Sequence, residues 1–397
     1  MDNVTAKVAR QYTDYAYPEP FEDLDERLAR GQFDACDPRL FGPMLWPEGR
    51  PEGPLRILSA GCGTVQAAVL AHSNRDASVV GVDLSDASLG HQRYLREKFD
   101  LQNLELFQGD IVDVAEIGRE FDLIVCSGVL HHLRDPDAGL RALRSVLAPQ
   151  GAMFVMVYAP IGRTGVYLMQ DAFRTIGLRQ TPEDIELVRA VLKATPSSHP
   201  VAAFAAWADD VHYDAGIVDI FLHPQDRSYS VEEVLDWVER AGLGFQGWLD
   251  NMVYFPHALV SPAILPRIEA LPLQKQWAVV EKLVGMTAKQ EFYLRHPGSV
   301  HQVSFEGDHW LQYRPYWFPV AELKQEGDGG FRIHRTGQQF IVGEPEAILF
   351  SWGDGTRTIA QMLDEPPFSA FPENERREFA RAHFTRMWRM GLMMFQK

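Results

Sequence analysis

Between residues 55 and 158, apolar residues gather in short runs, and most of these runs stop at a glycine or a polar residue. Leu55 to Ala60 runs into Gly61-Cys62-Gly63-Thr64, and Ala77 to Val82 runs into Asp83. Leu104 to Gln108 precedes Gly109-Asp110, and Phe121 to Cys126 precedes Ser127-Gly128. Met153 to Tyr158 is unbroken, as a strand buried on both faces should be. Between these runs lie alanine-rich Val65 to His72, Asp86 to Phe99 behind Ser85 or Asp86 as N-cap, and a stretch capped by Asp135-Pro136-Asp137 and running to Leu147. These read as helices. Strands alternating with helices predict a parallel sheet, which binds ligands at the carboxyl ends of its strands.

The first glycine turn has the chemistry of a nucleotide cradle. Residues without Cβ allow a sharp bend and close approach, and a helix start behind them leaves N–H groups free. Asp83 ends the second strand at the spacing where such folds place an acid on a ribose diol. A third glycine of a G-x-G-x-x-G turn would fall at Gln66, which weakens the nicotinamide reading. The chain has no G-x-x-x-x-G-K-[ST] run, so a P-loop is excluded.

Five stretches in order resemble the motifs of class I S-adenosylmethionine-dependent methyltransferases. They are Ala60-Gly61-Cys62-Gly63-Thr64, Gly81-Val82-Asp83-Leu84-Ser85, Gln108-Gly109-Asp110-Ile111, Val129-Leu130-His131-His132-Leu133 and Leu147-Ala148-Pro149-Gln150-Gly151. The resemblance implies S-adenosylmethionine as cofactor and S-adenosylhomocysteine as product. It assigns cofactor contacts to Ala60, Gly61, Cys62, Gly63, Asp83, Leu84, Gly109, Asp110, Ile111, Ser127 and Gly128. The chain departs from the family pattern at Ser59, where many members carry an acid, and at Val65, where many carry glycine. The family's Asn/Asp-Pro-Pro-Tyr motif is absent, which argues against methylation of DNA bases. Segments around Leu222 to Arg227, Gln276-Trp277 and Phe292 to Pro297 extend the likeness to a group of uncharacterised bacterial methyltransferases.

The expected fold is α/β: a Rossmann-like, mostly parallel seven-stranded methyltransferase sheet with a helical insertion and a small α+β, winged-helix-like C-terminal domain. The expected divisions are an N-terminal lid or arm (1–54), the cofactor-binding core (55–160), an inserted helical lid (161–228), the end of the core (229–255), a helical accessory region (256–326) and the C-terminal module (327–397). A hairpin around Gly337 opens that module. The aromatic stretch His309 to Phe318 reads as core packing.

Tyr12, Tyr15 and Tyr17 sit in an arm resembling a segment that closes over the site in similar methyltransferases. Asp219, His223, Asp226 and Arg227 are the matching candidates in the insertion, for an acceptor pocket or for an ion-paired loop that orders a lid. His131 and His132 are candidate bases at the end of the fourth strand, and Tyr229 is a further catalytic candidate. His212, Asp214, Asp219 and His223 show no recognised metal-ligand spacing, and no metal is expected.

The formal charge of −16, from 54 acids against 38 Lys and Arg, meets a phosphate backbone poorly. It suits a neutral or cationic acceptor. Cys36, Cys62 and Cys126 are too few and too scattered for a disulfide framework. Neither a signal peptide nor a membrane span is evident, so a cytoplasmic location is expected. The expected activity is methyl transfer to an N or O acceptor, either a small molecule or a peptide or protein side chain. The alternative is a methyltransferase-fold protein that binds the cofactor or a partner without turnover.

Overall fold

Seven strands form the central sheet: β1 (Arg56–Ala60), β2 (Ser78–Asp83), β3 (Leu104–Gln108), β4 (Phe121–Ser127), β5 (Leu147–Tyr158), β6 (Gly244–Trp248) and β7 (Lys289–Arg295). The computed structural model describes residues 3–30, 36–255, 260–285, 287–327 and 329–397. Strand order is β3-β2-β1-β4-β5-β7-β6. The first five strands pair in parallel, with Ile57 opposite Val79 on one side and Leu123 on the other. Ile57, Leu58, Val79, Leu123, Ile124 and Val125 have almost no accessible surface. Their burial on both faces is why the strands read as apolar runs.

Two features of the sheet departed from expectation. β5 begins at Leu147, six residues ahead of the apolar run that starts at Met153, so the motif Leu147 to Gly151 belongs to the strand. The pairing with β4 is irregular there: Phe121 faces Leu147, and Leu123 already faces Ala152. β7 was not expected as a strand, and it lies beyond residue 255, where the core was expected to end. It runs antiparallel to β5, with Lys289 opposite Tyr158 and Arg295 opposite Ala152. Its polar start hid it. Gln290 is fully buried, but its amide donates to the Tyr229 carbonyl at 3.1 Å and to Glu281 at 2.6 Å, so no apolar side chain is needed there. The antiparallel direction brings Lys289 and Glu291 to the carboxyl end of β5, which is the ligand edge.

The helices after β2 and β4 start at the expected caps, Ser85 and Asp135, and two later helices are capped in the same way. Ser85, Asp135 and Thr181 each accept a backbone N–H in the first turn of the helix that follows, and Ser230 forms a capping box with Glu233. After β5 come four helices, Thr164–Thr175, Pro182–Ala194, Pro200–Ala205 and Asp214–Phe221. They share their own apolar core, including Val166, Phe173, Val188, Ile217 and Phe221, with Tyr15 packed against it.

The chain divides into two compact units. The first comprises Met1–Asp37, Glu52–Phe245 and Glu281–Ser299; the second comprises Pro38–Pro51, Gln246–Val280 and Val300–Lys397. The second unit carries β8 (Arg314–Trp317), β9 (Ala321–Gln325), β10 (Phe331–Arg335), β11 (Gln338–Val342) and β12 (Met393–Gln396). β9, β10 and β11 form an antiparallel sheet, with the β10–β11 hairpin turning at Gly337; β8 pairs with β12. Trp310 and Tyr313 are buried in this unit's core with Ile333, Phe350, Ile359, Phe384 and Phe395. Trp310, Tyr313 and Phe318 of the aromatic stretch are therefore buried, while Trp317 is exposed. The helical start expected at Pro256 lies outside the described residues. Among the described residues, no helix is long and apolar enough to cross a membrane.

Gly165 marks a close crossing within the insertion. A Cβ there would stand 2.1 Å from the Val201 nitrogen and 2.4 Å from the Pro200 carbonyl carbon, both of them backbone atoms. Gly165→Ala should therefore destabilise the first unit by about 1–3 kcal/mol. Gly90, inside the helix Asp86–Lys98, has open space where a Cβ would stand, with nothing within 4 Å. Gly90→Ala should raise stability by roughly 0.5–1 kcal/mol. Thermal unfolding of the two variants should move in opposite directions, and a fall in both would refute the packing argument.

Candidate cofactor and acceptor site

The glycine turn after β1 is pinned from three sides. The N–H groups of Gly61 and Cys62 donate to the Val82 carbonyl at 2.8 and 3.0 Å. The Gly63 N–H donates to Asp83 Oδ2 at 2.8 Å, and the Ser85 N–H donates to Asp83 Oδ1 at 2.8 Å. The Gln92 amide donates to the Cys62 and Gly63 carbonyls, both at 3.0 Å, while its Oε1 accepts from Ala68 N–H at 2.9 Å. Burial raises the Asp83 carboxyl above its usual range, and the backbone donors oppose that shift. Each Asp83 oxygen holds one backbone donor and keeps acceptor capacity for a ligand hydroxyl. At the position where relatives carry an acid, the Ser59 hydroxyl donates to Gln66 Oε1 at 3.0 Å. That bond orients the Gln66 amide beside the turn. Burial pushes the Cys126 thiol up to about 12 and the Cys62 thiol well up too, so both act as apolar filler rather than nucleophiles.

The N-terminal arm lies directly on this turn. Thr64 donates its hydroxyl to the Pro18 carbonyl at 2.7 Å, and Ser85 donates to the Tyr12 carbonyl at 2.9 Å. Gly63 has φ +52, and a Cβ there would stand 2.8 Å from the Tyr17 carbonyl oxygen and 3.2 Å from Pro18 Cδ. The first obstacle to a side chain at Gly63 is therefore the arm's backbone. The arm also reaches the insertion: Tyr15 donates to the Gln180 carbonyl at 3.1 Å and Tyr17 donates to Asp210 at 3.0 Å.

Beyond the turn, two tyrosines converge on one carboxylate. Tyr12 donates to Asp219 Oδ1 at 2.8 Å, and Tyr158, the last residue of β5, donates to Asp219 Oδ2 at 2.9 Å. Burial, followed by the Asp219 charge, holds both phenols well above their ordinary pKa, so they keep their protons. Burial likewise raises the Asp219 carboxyl. His132 and His223 stack beside them, with ring centroids 3.8 Å apart.

The backbone of Gln225 sets both tautomers. Its carbonyl lies 2.8 Å from His132 Nδ1 and so holds the proton there, which leaves Nε2 as a lone pair without a protein partner. Its N–H donates to His223 Nδ1 at 3.1 Å, which places the neutral His223 proton on Nε2, 3.4 Å from the Tyr12 oxygen. His132, Asp219 and His223 offer ligand atoms within 4.8 Å of one another, as a metal triad would. The tautomers argue against that use, because His223 Nε2 carries a proton and both Asp219 oxygens already accept phenol protons. His212 and Asp214, weighed with them from the sequence, lie apart; Asp214 is ion-paired with Arg189.

A cavity of about 800 Å³ joins the turn to this cluster. Of the expected cofactor residues, Gly61, Cys62, Gly63, Asp83, Leu84, Gly109, Asp110, Ile111, Ser127 and Gly128 line it, and Ala60 does not. Tyr12, Tyr17 and His132 also line it. Asp219 and His223 stand behind that wall. Asp226 pairs with Arg163 at 3.3 Å, both of them almost fully buried. Tyr15 and Arg227 do not reach the cavity, and the Arg227 guanidinium lies over the Tyr229 ring. His131 is fully buried against Tyr158 with neither nitrogen paired. Burial lowers its pKa well below the usual histidine range. Tyr229 does not line the cavity either: its ring stacks on Trp237.

Sequence reasoning missed Gln66, Tyr158, Arg163, Asp210, Lys289 and Glu291, all of which line the cavity. Tyr158 carried a usable signal as the residue closing an apolar parallel strand. Lys289 and Glu291 carried none, because their strand was itself unrecognised.

A Rossmann-like sheet with its cavity at the strand ends, lined by a glycine turn and an acid, defines a nucleotide-cofactor protein. Residues 58–153 match the profile of a family described as "Methyltransferase domain". An uncharacterized protein of Synechococcus sp. is 33% identical over 309 residues, covering 74% of this chain and 72% of that protein. The ubiquinone biosynthesis O-methyltransferase of Acinetobacter baumannii is 29% identical over 187 residues, covering 45% of this chain and 76% of that enzyme. PKMT2 from Rickettsia typhi shares the fold with a TM-score of 0.69 at 17% identity, over 91% of this chain and 76% of its own. A structure of that protein with AdoHcy gives a TM-score of 0.66. The chain belongs to the class I S-adenosylmethionine-dependent methyltransferases, and S-adenosylmethionine is its cofactor.

If Asp83 accepts hydrogen bonds from the cofactor ribose, Asp83→Asn should weaken binding roughly 10- to 100-fold, since a bond to a charged group contributes about 1.5–3 kcal/mol. The raised carboxyl pKa sets the pH dependence. Binding that needs the carboxylate should fade as pH drops, beginning above the ordinary aspartate range. For the unliganded fold the sign is opposite: ionised Asp83 costs stability at neutral pH, and that cost disappears as pH falls through the folded pKa. Calorimetry across pH checks both. An unchanged dissociation constant in the folded variant would remove Asp83 from the cofactor site. Gly63→Ala should lift the arm, and faster amide exchange over residues 12–20 would reveal it; unchanged exchange there would refute the close approach.

Proposed function

We propose that this chain transfers the methyl group of S-adenosylmethionine to a nucleophilic N or O atom held at the Tyr12–His132–Tyr158 end of the cavity. One observation carries the reading: a single cavity connects the Asp83 turn to a wall lined by Tyr12, His132 and Tyr158. The cofactor supplies an electrophilic methyl on a sulfonium. Asp83, the Gly61–Gly63 turn and the backbone around Gly109 to Ile111 would hold it, a donor and acceptor set suited to a nucleoside. The cavity has the volume typical of small-molecule sites. The chain's own contribution is positioning, which supplies much of the acceleration of a displacement, together with exclusion of water by the arm. His132 would accept the proton that the acceptor loses, because the Gln225 carbonyl fixes its tautomer.

The acceptor is a small molecule or an exposed side chain of a peptide. The likeness to the Acinetobacter O-methyltransferase lies within 45% of this chain and does not decide between oxygen and nitrogen. A fold-only protein would bind no cofactor. Calorimetry with S-adenosylmethionine, followed by mass-spectrometric search for methylated products in extract, separates the readings. His132→Gln should leave cofactor affinity unchanged and lower turnover by roughly 10²–10⁴-fold. Full turnover in that variant would exclude His132 as the base.

A further inference from the structure

We infer that the Gln66 side-chain amide binds the carboxylate of the cofactor's amino-acid end; this rests on the methyltransferase reading above. The inference starts from one hydroxyl. Ser59, the fourth residue of β1, is fully buried. Its hydroxyl carries one proton, which it donates to Gln66 Oε1 at 3.0 Å. Turning the amide over would set its nitrogen against the Ser59 oxygen and cost the hydroxyl that acceptor, a heavy penalty in a buried place. The amide is therefore held with its oxygen inward. Its nitrogen, with two N–H donors, has no acceptor among the described residues and keeps accessible surface. Gln66 lines the cavity.

Strand order puts those donors where a long cofactor has to pass. The sheet runs β3-β2-β1-β4 on this side. A nucleoside held at Asp83, the last residue of β2, and at Gly109 to Ile111 after β3 would occupy that part of the cavity. Its 5′ substituent would then run the other way, across the turn after β1 and toward Ser127 and Gly128 after β4, which also line the cavity. Gln66 opens the helix directly behind the β1 turn. The substituent ends in an ammonium and a carboxylate, and of these only the carboxylate accepts from an amide N–H. A side chain at residue 59 offers the ammonium no charge, because it is a serine whose proton is already committed.

Other donors in the lining are occupied. Arg163 is paired with Asp226 at 3.3 Å, and Lys289 with Glu291 at 2.9 Å. The rival is Arg27, which lines the cavity with its guanidinium 4.9 Å from the centre of the Phe21 ring. Ser59 is a positioning residue in this scheme, because it acts by fixing which end of the Gln66 amide faces the cavity.

Three product analogues separate the two ends of the amino acid: S-adenosylhomocysteine, the same molecule without its amino group, and the same molecule without its carboxyl group. Calorimetry on the full chain would read their affinities. Wild-type protein should bind the carboxylate-only compound at least about tenfold more tightly than the amine-only compound. The chain's charge of −16 favours the amine, so that order would not come from the overall field. Gln66→Glu keeps the size of the side chain and an oxygen for Ser59, and puts an anion where the N–H donors were. It should bind S-adenosylhomocysteine roughly 10- to 100-fold more weakly, hold the amine-only compound no less tightly than wild type, and reverse the order of the two analogues. Ser59→Ala frees the amide to turn and should narrow the wild-type preference roughly two- to tenfold while amine-only binding stays unchanged. Amine-only binding as tight as carboxylate-only binding in wild type would overturn the inference. So would an unchanged order in Gln66→Glu, equal weakening of all three ligands in that variant, or a preference lost in Arg27→Ala and kept in Gln66→Glu. In each of these cases wild-type protein still binds S-adenosylhomocysteine; absence of that binding would overturn the methyltransferase reading, and this inference with it.

Discussion

The Asp83 carboxylate is the contact on which the glycine-turn end of the cavity depends. Its two oxygens accept from Gly63 and Ser85, so one side chain fixes both the glycine turn after β1 and the helix start after β2. Removing a carboxylate from water is costly, and this burial raises its pKa. Backbone N–H donors offset much of that cost without adding a counter-charge. The result is a buried anion with spare acceptor capacity at the edge of a cavity. The arm then docks on the same turn, and the absence of a Cβ at Gly63 lets Tyr17 and Pro18 approach. In the proposed reading, cofactor cradle and cover therefore share one structural element.

The other end of the cavity rests on long-range contacts. Tyr12 and Asp219 are 207 residues apart, and Tyr158 and Asp219 are 61 apart. The N-terminal arm, the end of β5 and the insertion helix Asp214–Phe221 meet only in the folded chain. Buried polar networks of this kind demand full satisfaction, since an unpaired group in a low-dielectric interior costs far more than one in water. Here the Asp219 charge takes two phenol protons, and Gln225 fixes two imidazoles through its backbone. His132 Nε2 is left without a partner, as are both nitrogens of the neighbouring His131.

This difference in range explains what could be read from the sequence. The five parallel strands were legible because burial on both faces forces near-continuous apolar runs. Their carboxyl ends, and therefore most of the cofactor-side residues, followed from the rule that open α/β sheets bind ligands there. β7 was not legible, because Lys289, Gln290 and Glu291 break the pattern and buried Gln290 is satisfied by partners distant in sequence. Tyr229 looked like a site residue by its place in an acid- and histidine-rich run, yet its ring stacks on Trp237 away from the cavity. Residue type suggested polar chemistry near 219–229. Which of those side chains face the cavity, and which stand behind it, depends on helix rotation that local pattern does not encode.

The protons, more than the residue identities, distinguish this buried cluster from a metal site. A His-Asp-His set reads as a metal triad when only composition and distance are considered. The same set reads otherwise once each donor is followed to its acceptor. Gln225 offers a carbonyl to one imidazole and an N–H to the other, so the two stacked rings hold opposite tautomers. One Nε2 is then a donor and the other an acceptor, a pattern that a shared cation would have to undo at the cost of the Gln225 N–H bond. Two tyrosine protons already fill the carboxylate between them.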